Sequence, residues 1–235
     1  MGTPETGVLA VIPAYNEAGR IAGVICAMQG MAMPIDIVVI DDGSQDKTAA
    51  VAREAGAQVV RLPFNLGYGA ALQTGFRYAL QRGYEYVVQL DGDGQHDPRE
   101  VAVLLDKVAT GEADLVIGSR FLGQGYRTSC VRRAGSMLFG LVTSWIIGQR
   151  ITDPTSGYRA MNRRVIEFYT GEGFPADFPD ADVIIMLHRA GLRVTEAPIH
   201  ALATPSKRSM HSGLKPLYYV LKMLLAIPLT LLRKR

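Results

Sequence analysis

Five short runs rich in β-branched and other apolar residues mark the first half of the chain: Val8 to Ile12, Ile35 to Ile40, Gln58 to Arg61, Tyr86 to Leu90 and Asp114 to Ile117. Their length and composition predict buried parallel strands. Helical patterns lie between them: Glu17 to Met28 behind an Asn16 cap, Thr48 to Ala55 ended by Gly56, Gly69 to Gln81 ended by Gly83, and Pro98 to Ala109 ended by Gly111. Strand and helix alternation of this kind predicts an α/β fold, a mainly parallel central sheet flanked by helices. Such sheets bind ligands at the carboxyl ends of their strands.

Two later segments are more apolar. Ala134 to Gly148 has 15 residues and no charge; it is too short to span a bilayer and reads either as core or as an interfacial helix carrying Trp145. Leu214 to Leu232 is interrupted by Lys215, Pro216, Lys222 and Pro228, so it does not read as a transmembrane helix. If helical, Lys215, Lys222 and Arg233 would share one face, opposite Leu and Ile. That pattern suits an amphipathic helix on an anionic leaflet, or a helix docked on the domain. The expected division is a catalytic unit over 1–212 and a basic, membrane-associating segment over 213–235. The polar first residues, and a Val8 to Pro13 run too short for an apolar signal region, predict no signal peptide.

With 235 residues, 48% of them hydrophobic and 20% charged, the chain has enough apolar surface for one large domain, and disordered or fibrous classes are excluded. Cys26 and Cys130 match no disulfide framework or zinc spacing, which predicts two ordinary buried thiols in a reducing cytoplasm. The net charge of +3 hides an uneven distribution. Residues 201–235 carry seven basic side chains and no acidic one, leaving residues 1–200 with 18 basic against 22 acidic. Between Arg120 and Arg164, eight arginines face a single acid, Asp153. The two basic zones suggest an anionic partner, phosphates or a lipid surface, or else a solvated basic face.

Polar loops follow three of the strands: Pro13-Ala14-Tyr15-Asn16-Glu17, Asp41-Asp42-Gly43-Ser44-Gln45-Asp46 and Asp91-Gly92-Asp93-Gly94-Gln95-His96-Asp97. Carboxylates gathered at one sheet edge need a cation or hydrogen-bond donors to offset their repulsion. Asp91 and Asp93 on one turn can hold a hard divalent ion while leaving positions open for a diphosphate. The alternative is a plain Asp-Gly turn. A calcium loop of the EF-hand type is excluded, because its sixth and twelfth positions would be His96 and Ala102. Asn65-Leu66-Gly67-Tyr68-Gly69-Ala70 lacks the third glycine of a dinucleotide fingerprint; its glycines serve either close ligand approach or a tight turn. There is no Gly-x-Ser-x-Gly elbow, phosphate-binding P-loop or His-Glu-x-x-His pair, and the four histidines show no ligand spacing.

Taken in order, Pro13-x-Tyr15-Asn16-Glu17, Asp41-Asp42-x-Ser44-x-Asp46-x-Thr48, Asn65-x-Gly67-x-Gly69-Ala70, Asp91-x-Asp93-x-Gln95-His96 and Asp153-Pro154-Thr155-Ser156-Gly157-Tyr158-Arg159 resemble glycosyltransferase family 2. The subgroup they resemble is the polyprenyl-phosphate sugar transferases, over about Val8 to Ser209. The resemblance implies a GT-A fold, a nucleotide-sugar donor and Mg²⁺ or Mn²⁺. It places Pro13, Tyr15, Glu17, Asp41 or Asp42, and Gly67 at the donor, Asp91, Asp93 and Gln95 at the metal, and Lys207 and Arg208 in a basic loop over the donor. Arg120, Arg132 and Arg159 would receive an acceptor phosphate, whose oxygens suit guanidinium forks. The subgroup's aromatic-Gln-x-Glu stretch is replaced here by Phe178-Pro179-Asp180-Ala181-Asp182, with Asp182 in place of the Glu.

The resemblance implies an inverting hexosyl transfer from a UDP- or GDP-linked sugar to a polyprenyl phosphate on the inner face of the membrane, with Asp93, Arg120, Arg132 and Asp182 in the catalytic group. A lipid phosphate is already anionic and needs cationic positioning. A hydroxyl acceptor, as in envelope polysaccharide synthesis, would need a carboxylate base, Asp153 or Asp182. A non-catalytic sugar-nucleotide-binding subunit is the further alternative, and the intact Asp91, Asp93 and Gln95 speak against it. The expected partners are the donor, the lipid phosphate, an anionic membrane surface and, for a chain without a span of its own, a separate membrane protein. No nucleic acid is expected.

Overall fold

The computed structural model describes residues 7–94, 96–123, 130–200 and 225–232, apart from the side chains of 130–132. Strands β1 (Val8–Ala14), β2 (Asp36–Asp41), β3 (Gln58–Arg61), β4 (Tyr86–Gln89), β5 (Leu115–Ser119), β6 (Arg159–Asn162) and β7 (Val194–Pro198) form one seven-stranded sheet in the order β3-β2-β1-β4-β6-β5-β7. Every neighbouring pair is parallel except the two made by β6, which runs antiparallel between β4 and β5. The five strands expected from the sequence are present, each within two residues of its expected ends. β6 and β7 are additions.

The helices are α1 (Ile21–Gln29), α2 (Thr48–Glu54), α3 (Tyr68–Arg82), α4 (Val101–Ala109), α5 (Cys130–Ile147), α6 (Arg163–Thr170) and α7 (Ala181–Arg189). Alternate strand positions feed two cores, because successive side chains leave a strand on opposite faces. Leu9, Val11, Val38 and Ile40 join α3, α5, α6 and α7 on one face. Ala10, Ile12, Ile37 and Val39 join α1, α2 and α4 on the other.

α1 begins at Ile21, later than the expected Glu17, and Asn16 does not cap it. Asn16 adopts a left-handed φ of 57° and turns its side-chain oxygen to the amides of Gln45 and Asp46. A residue spent on a long-range loop contact cannot also start the helix. Pro98–Glu100 forms a short 3-10 turn ahead of α4, capped by the Asp97 carboxylate on the amide of Arg99. Cys26 is exposed, against the expected buried thiol.

The uncharged Ala134 to Gly148 run falls within α5, where Phe139, Gly140, Thr143 and Ile147 are buried and the opposite face is not. Residues 225–232 are helical, Ile227 packs into the core shared with α5, and Arg189 of α7 donates to the carbonyls of Thr230 and Leu231. Residues 213–224 and 233–235, most of the expected tail, lie outside the described residues. Among the described residues no helix is long and apolar enough to cross a membrane.

Candidate active site

The strand order reverses direction at β1, with β2 on one side and β4 on the other, and in open α/β sheets that switch point is where a crevice opens. The loops after β1, β2 and β4 meet there. Most polar residues of the Asp41 to Thr48 motif hold the neighbouring loops in place: Ser44 Oγ accepts the amide of Asn16, Thr48 Oγ1 that of Glu17, and Asp46 Oδ2 that of Ala18. Burial pushes the Asp46 carboxyl up, but its hydrogen bonds from Thr48 and Ala18 outweigh that and hold it below the usual range.

Both aspartates expected at the donor are buried. Asp41 accepts from the amide of Ser44 at 3.1 Å and faces Arg61 Nε at 3.2 Å. Asp42 receives the amides of Leu66 at 2.7 Å and Gly67 at 3.0 Å, so this carboxylate shapes the loop before α3. Gly69 settles what that loop's glycines are for: a Cβ there would lie 2.0 Å from the carbonyl oxygen of Pro175. The close approach is by the 175–177 segment, whose carbonyls receive the amides of Gly69 and Ala70. Of the other expected donor residues, Pro13 lies buried at the end of β1, Tyr15 is 43% exposed, and Glu17 pairs with Arg20 at 2.7 Å.

Asp91 is the hub of the opposite wall. Its Oδ1 accepts from the Tyr68 hydroxyl at 2.8 Å, its Oδ2 lies 3.3 Å from His96 Nε2, and Gln89 Nε2 donates to the same Tyr68 hydroxyl at 3.2 Å. Burial alone would raise the Asp91 pKa; the His96 contact, the Tyr68 hydrogen bond and the charge of Arg120 more than offset it, so the carboxyl lies below the usual range. The same environment drives the Tyr68 phenol well above its ordinary value, through burial first and Asp91 second, keeping it a donor. His96 Nδ1 is buried with no hydrogen-bond partner among the described residues.

Asp91 and Asp93 are hard oxygen donors, both partly accessible. Among the described residues no group of three or more His, Cys, Asp or Glu side chains is placed to hold an ion. Two carboxylates on one turn fit Mg²⁺ or Mn²⁺, which take one or two carboxylates and complete their shell with phosphate oxygens and water.

The antiparallel run of β6 brings the 153–158 loop beside Asp91. Arg120, just after β5, grips Asp153 with Nε on Oδ2 at 2.7 Å and Nη2 on Oδ1 at 2.8 Å, and its Nη2 also reaches Thr155 Oγ1 at 3.0 Å. Behind this pair Glu196 of β7 accepts from the amides of Thr152 and Asp153 and from Thr152 Oγ1, all within 2.9 Å. Burial raises the Glu196 carboxyl, with those hydrogen bonds opposing. The loop that carries Asp153, the partner of Arg120, also sets Gly157 against the Asp91 carboxylate, where a Cβ would lie 2.7 Å from Oδ2.

Two expectations are corrected. Arg159 is 2% exposed, and its guanidinium donates to the carbonyls of Ser156, Pro179 and Pro154. It staples the 154–156 loop to the segment before α7 and has no open side for an acceptor phosphate. Asp153, the alternative base, is fully buried with both oxygens on Arg120. Asp182, the other expected base, is buried, accepts the amides of Asp180 and Val183, and is raised to about 6 by burial and then by the charge of Asp180. Gln95, the side chain of Arg132, Lys207 and Arg208 lie outside the described residues. Sequence reasoning gave Tyr68, Gln89, His96 and Glu196 no role. Tyr68 was visible inside the Gly67-x-Gly69 motif, whereas Glu196 sits on a strand the pattern did not reveal.

The chain belongs to glycosyl transferase family 2, whose family model matches residues 9–170. Within it, the chain falls in the polyprenyl-phosphate sugar transferase subgroup. It is 32% identical to an undecaprenyl-phosphate mannosyltransferase of Micrococcus luteus over 88% of each protein. It is 37% identical to a polyprenol monophosphomannose synthase of Mycolicibacterium smegmatis over 70% of this chain and 64% of that protein. The fold matches a crystal structure of glucosyl-3-phosphoglycerate synthase from Mycobacterium tuberculosis with a TM-score of 0.74, covering 96% of this chain and 80% of that one at 23% identity. The architecture is thus the GT-A type, and the protein is a glycosyltransferase.

Proposed function

We propose that this enzyme moves a hexose, with inversion, from a UDP- or GDP-linked donor to a polyprenyl phosphate at the cytoplasmic face of the membrane. The observation that supports the reading is the joint placement of Asp91 and Arg120: the loop whose Asp153 grips Arg120 also packs its Gly157 against the Asp91 carboxylate, a hard donor suited to a divalent ion. Mg²⁺ or Mn²⁺ held by Asp91 and Asp93, with Gln95 as a further ligand, supplies Lewis-acid stabilisation of the leaving diphosphate. Tyr68 orients Asp91. Arg120, aimed by Asp153, meets the incoming phosphate, together with Arg132. Tyr15 and Glu17 lie on the donor side, with Lys207 and Arg208 in the basic loop over the donor. A phosphate nucleophile needs no proton removed, so positioning and charge carry the acceleration.

The relatives' names support the acceptor class, and the basic stretches support an anionic surface beside the enzyme. A second reading, transfer to a sugar hydroxyl, is favoured by one observation: Asp182, held near 6, is tuned as a general base. The deciding experiment supplies nucleotide sugars and Mn²⁺ with and without polyprenyl phosphate and measures free nucleoside diphosphate. Stimulation by the lipid is expected; none with any donor would overturn the reading.

A further inference from the structure

Glu196 is an acid on the core-facing side of β7. It leaves the strand on the same face as the buried Val194, because alternate residues of a strand share a face, and it stands opposite Ile117 in the parallel pairing of β7 with β5. A charge in such a place needs donors to offset its lost hydration. One turn supplies them. Glu196 Oε1 accepts the amides of Thr152 at 2.9 Å and Asp153 at 2.8 Å, and Oε2 accepts the Thr152 amide and the Thr152 hydroxyl, each at 2.8 Å.

Both halves of the Arg120–Asp153 pair are tied to this carboxylate. On one side, Glu196 holds the amide of Asp153, whose side chain grips Arg120 and also accepts the Arg120 amide at 3.1 Å. On the other side runs a chain of hydroxyls. Thr152 has a single hydroxyl proton, and an ionised carboxylate can only accept, so that proton goes to Glu196 Oε2. Thr152 Oγ1, 2.6 Å from Ser119 Oγ, is then the acceptor there and Ser119 the donor. Ser119 Oγ in turn accepts the amides of Phe121 and Leu122, each at 3.3 Å. The hydrogen bonds thus point one way, from the backbone flanking Arg120 through Ser119 and Thr152 to Glu196. Ser119 and Asp153 have no exposed surface, so water does not stand in for a lost partner.

We infer that Glu196 is a positioning residue of the acceptor side: it fixes the 152–153 turn and the backbone around Arg120 together, and so holds the guanidinium in one orientation at the edge of the site. The kinetic consequence rests on the proposed role of Arg120 toward the acceptor phosphate; the link from Glu196 to Arg120 rests on the contacts alone. Binding groups are kept in productive geometry by supporting residues of this kind, which never touch the substrate. Glu196→Gln keeps the size of the side chain but puts a nitrogen that cannot accept where one oxygen met Thr152.

The test uses the full chain with its arginines labelled with nitrogen-15. The Arg120 Nε–H signal is identified by its loss in Arg120→Lys, and in the wild type its bond to Asp153 Oδ2 protects it from exchange with water. Glu196→Gln is expected to speed that exchange about tenfold or more, the equivalent of roughly one charged hydrogen bond. The same variant should raise KM for polyprenyl phosphate about tenfold, with KM for the nucleotide sugar and the half-activating Mn²⁺ concentration within about twofold. In an Arg120→Lys background, where the fork is already gone, it should add less than about twofold. Glu196→Asp, which keeps the charge and draws the carboxylate back by one methylene, should move every readout in the same direction and takes over if the glutamine variant does not fold. Three outcomes would overturn the inference: unchanged exchange at Arg120 Nε in a folded variant, equal rises in KM for donor and acceptor, or the same loss in the Arg120→Lys background as in the wild type. Failure of the acceptor reading looks different: the wild type would show no turnover with a lipid phosphate, while exchange at Arg120 would still quicken in Glu196→Gln.

Discussion

Arg120 and Asp153 form a two-pronged ion pair, Nε to Oδ2 at 2.7 Å and Nη2 to Oδ1 at 2.8 Å, around a carboxylate with no exposed surface. The arginine is thereby held in one rotamer at the edge of the site, and the pair also accounts for Asp153 as a positioning group. Arg120→Lys keeps the charge and loses the fork. We expect KM for the acceptor to rise about tenfold or more, the loss of roughly one charged hydrogen bond, with KM for the donor within about twofold. Asp153→Ala leaves a largely buried guanidinium without its partner, which costs about 3–5 kcal/mol when a buried pair is broken. That variant should melt markedly lower, whereas R120K should not. Steady-state kinetics in both substrates with thermal melts would check this, and equal KM changes for donor and acceptor would count against an acceptor-side Arg120.

Tyr68 donates to Asp91, the carboxylate proposed to hold the metal, and would act on the metal through it. Removing its hydroxyl in Tyr68→Phe leaves the ring in place and takes one donor from the partly exposed Asp91 carboxylate. Outer groups that orient a metal ligand are worth about 10–100-fold in metal affinity. The Mn²⁺ concentration giving half-maximal activity should rise by about that factor, and saturating Mn²⁺ should restore most of the turnover. A loss that no metal concentration repairs would mean that Tyr68 serves the fold or the donor instead.

How much of this was legible in the sequence depends on how local the cause is. β1 to β5 announce themselves as apolar runs followed by polar loops, and Asp91 and Asp93 stand on a loop whose position follows from that alternation. β6 does not: Arg159-Ala160-Met161-Asn162 is four residues with a buried arginine at its head, and it is a strand only because β4 and β5 pair with it on both sides. β7 carries Glu196 at a partly covered position, where its charge looks like surface until the amides of Thr152 and Asp153 are found to meet it. The motif Asp41-Asp42-x-Ser44-x-Asp46-x-Thr48 was visible as a pattern. That Ser44, Asp46 and Thr48 hold loop amides, and that Asp42 holds Leu66 and Gly67, depends on contacts 24 to 31 residues apart. No spacing rule reports such contacts.

Asp182 carries a carboxyl whose ionisation falls within an accessible pH range. An ordinary unfolded aspartate titrates near 3.9, and in the fold this one is raised to about 6. The folded chain therefore binds the proton more tightly than the unfolded chain. Its contribution to stability is fullest below about pH 4, declines as pH rises towards 6, and leaves an ionised buried carboxylate costing about 3 kcal/mol above that. Asp182→Asn, whose amide oxygen can still accept the amides of Asp180 and Val183, should match wild type in urea melts near pH 4 and exceed it at pH 8. A stability difference that does not change with pH would refute the raised pKa. The same variant separates the two acceptors: turnover on a lipid phosphate should stay within severalfold, while transfer to a hydroxyl should fall about 10²-fold or more if Asp182 is its base.

Two glycines test the division between fold and site by sterics alone. At Gly69 an added Cβ meets the carbonyl oxygen of Pro175 at 2.0 Å and backbone atoms of Ala176 at 2.7 Å and 2.8 Å. Alanine gains up to about 1 kcal/mol over glycine inside a helix, but backbone on the far side cannot step aside, and overpacking costs about 1–3 kcal/mol or more. Gly69→Ala should therefore melt several degrees lower. At Gly157 the three atoms nearest an added Cβ are side-chain ends, Asp91 Oδ2 at 2.7 Å, the Tyr68 hydroxyl at 2.9 Å and Asp91 Oδ1 at 3.0 Å. These can turn away, so Gly157→Ala should melt close to wild type while the displaced Asp91 weakens Mn²⁺ activation about tenfold or more, as loss of metal-ligand orientation does. If Gly157→Ala lost stability and left the Mn²⁺ midpoint unchanged, the 153–158 loop would be a packing element that happens to lie against Asp91, and the case for one site joining Asp91 to Arg120 would weaken with it.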